Sequence, residues 1–215
     1  MASKKIEDEF ITALENKNIK KFKVIIDNAI NNNIILPINK KDSDGRFPIL
    51  WATFNSVEFT KYLIMYAEKI NKLLSVNEKC NDGYFPVLWT CHKDRYEALK
   101  LLIEYSNKYN IVLKINDEEK ITGTYPALEA CINNNAEIVK LLIDYANKNN
   151  IVLKINKKDY NDEYPLLFAC RNNNIEMIKI LMDYAKENKI TLELDKSNIS
   201  EISNETINIY NQYKK

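Results

Sequence analysis

Four prolines, Pro48, Pro86, Pro126 and Pro165, set the frame of this chain. Each follows Phe or Tyr, each is followed two places on by Leu, and they stand 38, 40 and 39 residues apart. A tyrosine keeps the same step at Tyr66, Tyr105, Tyr145 and Tyr184, and the run NIVLKIN at 110–116 recurs whole at 150–156. A fixed period between about 20 and 50 residues means that one supersecondary unit is repeated and packs mainly on its neighbours. The period of about 39 therefore predicts an all-α fold, a solenoid of stacked helix-turn-helix repeats, with 1–215 forming a single domain.

The residues within one period say how the unit is built. Proline suits the first turn of a helix and pushes the residue before it into an extended conformation, so a short helix starts at each anchor. Asp44-Gly45 marks a tight turn just ahead of the first. Ser56, Asp94, Asn134 and Asn173 fall between the short helix and the next, where Asn and Asp tolerate a left-handed backbone. The second helices carry apolar stripes at three and four, as in Ile138, Leu141, Leu142 and Tyr145. In the return loops Leu113 and Ile115 flank Lys114, the alternation of an extended segment with one buried side.

The repeats fall at 40–79, 80–117, 118–157 and 158–195. The first of these is one residue short between Trp51 and Glu58, so its inter-helix turn is expected to differ. Residues 5–39 read as a degenerate capping repeat: Ala13 to Ala29 matches Ala169 to Ala185 in spacing, with Glu9 where a proline would stand. Over 196–215 the register changes, and Ile199, Ile202, Thr206, Ile209 and Tyr213 predict one closing helix.

Composition excludes several kinds of function. With 31 basic and 30 acidic residues the net charge is +1, too even for a phosphate-binding track, so no nucleic-acid partner is expected. No run reaches about eighteen apolar residues and the start turns acidic early, so neither a membrane span nor a signal peptide is read, and a cytoplasmic monomer is expected. The sequons at 198–200 and 204–206 are then incidental in an Asn-rich chain.

Of the four cysteines, Cys91, Cys131 and Cys170 stand five places after their prolines, as small core thiols would. Cys80 falls in a turn and is expected to be exposed. There is one histidine, with no H-E-x-x-H and no glycine-rich phosphate loop. Glu97, Glu137 and Glu176 recur at helix starts, where acidic groups are favoured. No catalytic, cofactor-binding or metal-ligating residue is assigned, and the chain is not read as an enzyme.

The segments YPALEACINNNAEIVKLLIDYA and YPLLFACRNNNIEMIKILMDYA resemble ankyrin repeats, and the resemblance spans roughly residues 5 to 195. The family's Thr-Pro is here an aromatic-Pro, with Phe47, Phe85, Tyr125 and Tyr164, and its usual His is Leu50, Leu88, Leu128 and Leu167. That exchanges a small polar network for apolar packing, provided the ring finds the core. The return loop is longer than in the family's usual repeat of about 33 residues.

The resemblance implies a protein-protein interaction module that binds an unidentified protein through the concave short-helix face and the hairpin tips. On that face the residues three after each proline come first: Trp51, Trp89, Glu129 and Phe168. Two readings stay open for this row, an exposed stripe or rings packed in the core. At the tips the candidates are Arg46, Tyr84, Ile121, Tyr160 and Glu163, with His92 near the same face. The alternative function is a structural spacer or assembly subunit without a ligand groove.

Overall fold

Each anchor proline opens a helix whose preceding aromatic is extended: Phe47, Phe85, Tyr125 and Tyr164 have φ between −136° and −151° and ψ between 158° and 164°. The computed structural model describes residues 2–195, 197 and 202–213, with side chains from residue 4 on. Among these are eleven helices and no strand. They fall into two compact units that divide after Leu113.

The first unit holds α1 (Ala2–Glu15), α2 (Ile19–Asn31), α3 (Pro48–Asn55), α4 (Val57–Lys69), α5 (Pro86–His92) and α6 (Tyr96–Lys108). Helices pair as α1 with α2, α3 with α4 and α5 with α6. The first members of the pairs stack on one another, and so do the second members, giving two layers. The second unit repeats this with α7 (Pro126–Ile132), α8 (Ala136–Lys148), α9 (Pro165–Arg171) and α10 (Ile175–Glu187), closed by α11 (Asn204–Tyr213) against α10. Stacked helix pairs in register are the arrangement that the period requires.

The short helices stop after seven residues because the next turn is left-handed, at Asp94, Asn134 and Asn173 with φ of +55°, +57° and +50°. Lys17 takes the same conformation in the degenerate first copy, at φ +53°. α3 is the exception expected from its missing residue. It runs eight residues, and Ser56 at φ −170° ends it and caps α4 in one extended step. Side chains of Asn18, Asn135 and Asn174 accept the first-turn amides of α2, α8 and α10, caps worth about 1 kcal/mol each.

The anchor aromatics do find the core: Phe47, Phe85 and Tyr125 are fully buried, Tyr164 nearly so. In the return loops Leu36 and Ile38, Leu74 and Val76, Leu113 and Ile115, and Leu153 and Ile155 are buried, while Ile35, Leu73, Val112 and Val152 face solvent. The alternation expected of an extended segment is therefore present, without any ladder pairing. In the closing segment Ile202, Thr206 and Tyr210 are the buried residues; Tyr213, expected on that face, is only partly covered. Ile199 and the first sequon lie outside the described residues. α1 begins at Ala2, ahead of the expected start at Lys5.

Candidate partner-binding face

Each short helix is preceded by a hairpin whose first residue organises it. In the first unit the Asp42 amide donates to the Arg46 carbonyl at 2.8 Å, and Asp42 Oδ1 accepts the amides of Asp44 and Arg46 at 2.9 and 2.8 Å. The other oxygen, Oδ2, accepts the indole N–H of Trp51 at 3.1 Å, so the turn fixes the ring on α3. The Arg46 guanidinium lies 5.3 Å from the Trp51 ring and pairs with Asp44 at 2.8 Å. The next hairpin docks on this one: the Asn81 amide donates to the Asp44 carbonyl at 2.9 Å, and its side chain to the Ser43 carbonyl at 3.1 Å.

Cys80 stands where Asp42 stands in the preceding hairpin. Its amide donates to the Tyr84 carbonyl at 2.9 Å, and its side chain is 5% exposed. The expected exposed thiol is thus corrected: the position faces inward under the turn, and a small apolar sulfur fills it.

Along the surface of α3 and α5 runs a continuous row of partly exposed rings. Trp51 meets Phe54 edge-on at 6.1 Å, Phe54 stacks on Trp89 at 5.2 Å, and Trp89 stacks on His92 at 5.2 Å. Tyr84 from the tip leans on Trp89 at 4.3 Å. Such pairs prefer tilted and offset geometries and contribute about 0.5–1.5 kcal/mol each beyond their burial. Two lysines cap the row: Lys17 Nζ lies 4.8 Å from the centre of the Phe54 ring, and Lys93 Nζ lies 5.3 Å from Phe54 and 5.4 Å from Trp89.

Phe54 is the member that reading the sequence missed. It stands six after Pro48, as His92 stands six after Pro86, and that shared offset was the available signal. Beside Trp51, a cavity of about 230 Å³ opens between Asp8, Thr12, Lys40, Lys41 and Arg46.

In the second unit the equivalent positions hold different residues. Glu129, the residue three after Pro126, is 5% exposed, the covered of the two alternatives left open for that row. Phe168 is partly exposed, with the Arg171 guanidinium 5.9 Å from its ring and paired with Glu163 at 3.5 Å. At the tips Ile121 and Tyr160 are both 66% exposed. The Tyr160 amide donates to the Thr122 carbonyl at 2.7 Å, and its ring lies over Gly123.

The carboxylate beneath that tip is Glu119, almost wholly buried. It accepts the amides of Ile121 and Thr122 at 2.6 Å each, the Thr124 amide at 3.3 Å and the Thr122 hydroxyl at 2.7 Å. Burial alone would raise its pKa, but these donors outweigh that and hold the carboxyl below the ordinary carboxylate value of 4.5.

Among the described residues no cluster of His, Cys, Asp and Glu has the geometry to hold a metal. All four thiols are unbridged and buried, and burial pushes Cys170 up to about 12 and raises Cys131 as well. Glu137 and Glu176 share Lys140 on the surface at 3.0 and 2.6 Å, a solvated ion pair rather than an acid-base couple. No helix among the described residues is long and apolar enough to cross a membrane.

The family model for ankyrin repeats (3 copies) matches residues 67–151 and, again, 107–193, together more than half of the chain. No curated protein matches it.

Proposed function

The chain belongs to the ankyrin-repeat family, and from that premise we propose that it is a non-enzymatic interaction module that docks a protein partner on the short-helix face and hairpin tips. Ankyrin repeats are in general protein-protein interaction modules. The finer assignment puts the anchor of this surface at Trp51, Phe54, Tyr84, Trp89 and His92, with Arg46 at its edge. Phe168, Ile121, Tyr160 and Glu163 form a second group in the other unit. Glu129 drops out of the proposed contact residues because its side chain is buried.

The observation that carries this reading is the contiguous, partly exposed row of rings from Trp51 through Phe54 to Trp89. A core aromatic lowers its free energy by being covered, whereas these rings leave apolar area in water and are held in fixed orientations. Large, rigid, half-covered aromatics are what interface anchors are made of, and truncating one costs about 2 kcal/mol or more of binding.

Affinity capture with the wild-type chain beside a Trp51→Ala, Trp89→Ala variant tests this. Proteins retained by the wild type are expected to be lost from the variant, whose helical content and melting profile must first be matched to the wild type. A folded variant that retains every wild-type partner would place recognition elsewhere. A wild type that retains none would favour the spacer.

A further inference from the structure

We infer that the ring row around Phe54 receives an acidic protein segment, one whose carboxylates stand beside apolar or aromatic side chains. This rests on the interaction surface proposed above and specifies the partner's chemistry.

Two lysines, Lys17 and Lys93, stand over the rings. Some lysines of this unit have a carboxylate partner: Lys41 pairs with Glu78 at 2.7 Å and Lys108 with Glu68 at 2.8 Å. Lys17 and Lys93 have no carboxylate within 4 Å among the described residues, and the faces of Phe54 and Trp89 are what their ammonium groups meet. Their distances to the Phe54 ring keep the two ammonium groups within about 10 Å of each other, roughly one Debye length at 0.1 M salt.

Two like charges beside one apolar surface repel, and at an exposed site a ring face offsets little of that. A carboxylate entering between them relieves that repulsion, and the apolar side chain next to it covers Phe54 and Trp89. The Trp51 end is different. There Arg46 pairs with Asp44, and Asp8 and Asp42 stand with Lys40 in the lining of the cavity, so charges of both signs are already present, whereas lysines alone stand over the rings at the Phe54 and Trp89 end.

An anionic nucleic acid could also stack bases on such rings, but phosphate tracking needs a run of cations along the strand. This face sets two lysines over its rings rather than a run of cations, in a chain whose net charge is only +1. A peptide with one or two well-placed acids fits that count better.

The test is selection of a phage-displayed random peptide library on the immobilised full chain. Enriched peptides are expected to carry Asp or Glu next to aromatic or aliphatic residues. The tightest of them, made synthetically and titrated, should bind about tenfold more weakly to a Lys17→Gln, Lys93→Gln variant and should weaken as salt rises. Selection of neutral or basic peptides, no enrichment at all, or equal affinity for the lysine variant overturns the inference. So does tighter binding of a single-stranded oligonucleotide than of the selected peptide.

The Trp51→Ala, Trp89→Ala variant separates the two levels. Neutral peptides whose binding is lost in it leave the surface standing and remove only its acidic preference. Acidic peptides that bind it undiminished remove the surface itself.

Discussion

The hydroxyl of Tyr66 accepts the backbone amide of Leu36 at 2.9 Å while donating to the Ile34 carbonyl at 2.6 Å. A second helix thus closes the return loop of the repeat before it. The Tyr105 hydroxyl likewise accepts the Leu74 amide at 2.9 Å and that of Tyr184 the Leu153 amide at 2.8 Å. At the end of the chain Tyr210 of the closing helix reaches the Leu194 amide at 3.3 Å, standing in for the tyrosine of a following repeat. Asn39 and Asn116 work in the opposite direction, each donating to a carbonyl and accepting an amide of the next loop: Leu73 and Ser75 for the first, Val152 and Lys154 for the second.

Removing the hydroxyl alone should therefore be costly. Tyr66→Phe keeps the ring but leaves the buried Leu36 amide without its acceptor, a loss of about 1–3 kcal/mol. Chemical denaturation should show a lower midpoint with an unchanged slope. Tyr210→Phe, whose bond is longer, should lose less.

Acid should weaken the second unit through Glu119. Its folded pKa lies below the ordinary value, so its contribution is fully present above about pH 4.5 and disappears as pH falls through the lower, folded value. Glu118 adds to this: burial would raise it, yet the pairs with Lys157 and Lys154 hold it down. Glu119→Gln should reduce stability at neutral pH and flatten the acid limb of a stability-versus-pH curve. A variant whose acid limb matches the wild type would remove Glu119 from the account.

Two hairpin glycines should resist substitution for a geometric reason. Gly45 sits at φ +72°, and a Cβ there would come within 2.5 Å of Asn81 Oδ1; Gly123 sits at φ +75°, where a Cβ would be 2.7 Å from the Tyr160 ring. Alanine at either site should cost about 1–2 kcal/mol from the backbone alone, with more from the contact. In Gly123→Ala the displaced Tyr160 ring should also change its fluorescence or its ring resonances.

The thiols should be silent in the folded protein. Cys80, Cys91, Cys131 and Cys170 are buried, and burial holds Cys131 and Cys170 in the unreactive thiol form. A thiol-specific chromogenic reagent at neutral pH should titrate none of the four at a free-thiol rate until denaturant is added. Fast native labelling of Cys80 would contradict its position under the second hairpin.

Much of the fold was legible because its instructions are local. Proline at Pro48, Pro86, Pro126 and Pro165 sets helix starts, and Asp94, Asn134 and Asn173 set short-helix ends, with no need of distant contacts. The deviant turn at Ser56 followed from a one-residue deletion for the same reason. The face was less legible. Phe54 was passed over because an aromatic at the end of an apolar helix looks like core, and Cys80 was misread because a turn in sequence looks exposed.

The amino-acid order by itself determined the repeat and its helix boundaries, since periodicity and backbone preference act within one unit. Only the tertiary structure decided that Trp51 and Trp89 keep part of their surface in water while Glu129, at the same repeat position, is covered. Exposure is a property of what lies against a side chain. In a stack that neighbour comes from another repeat, so identical positions in the sequence meet different surroundings in space.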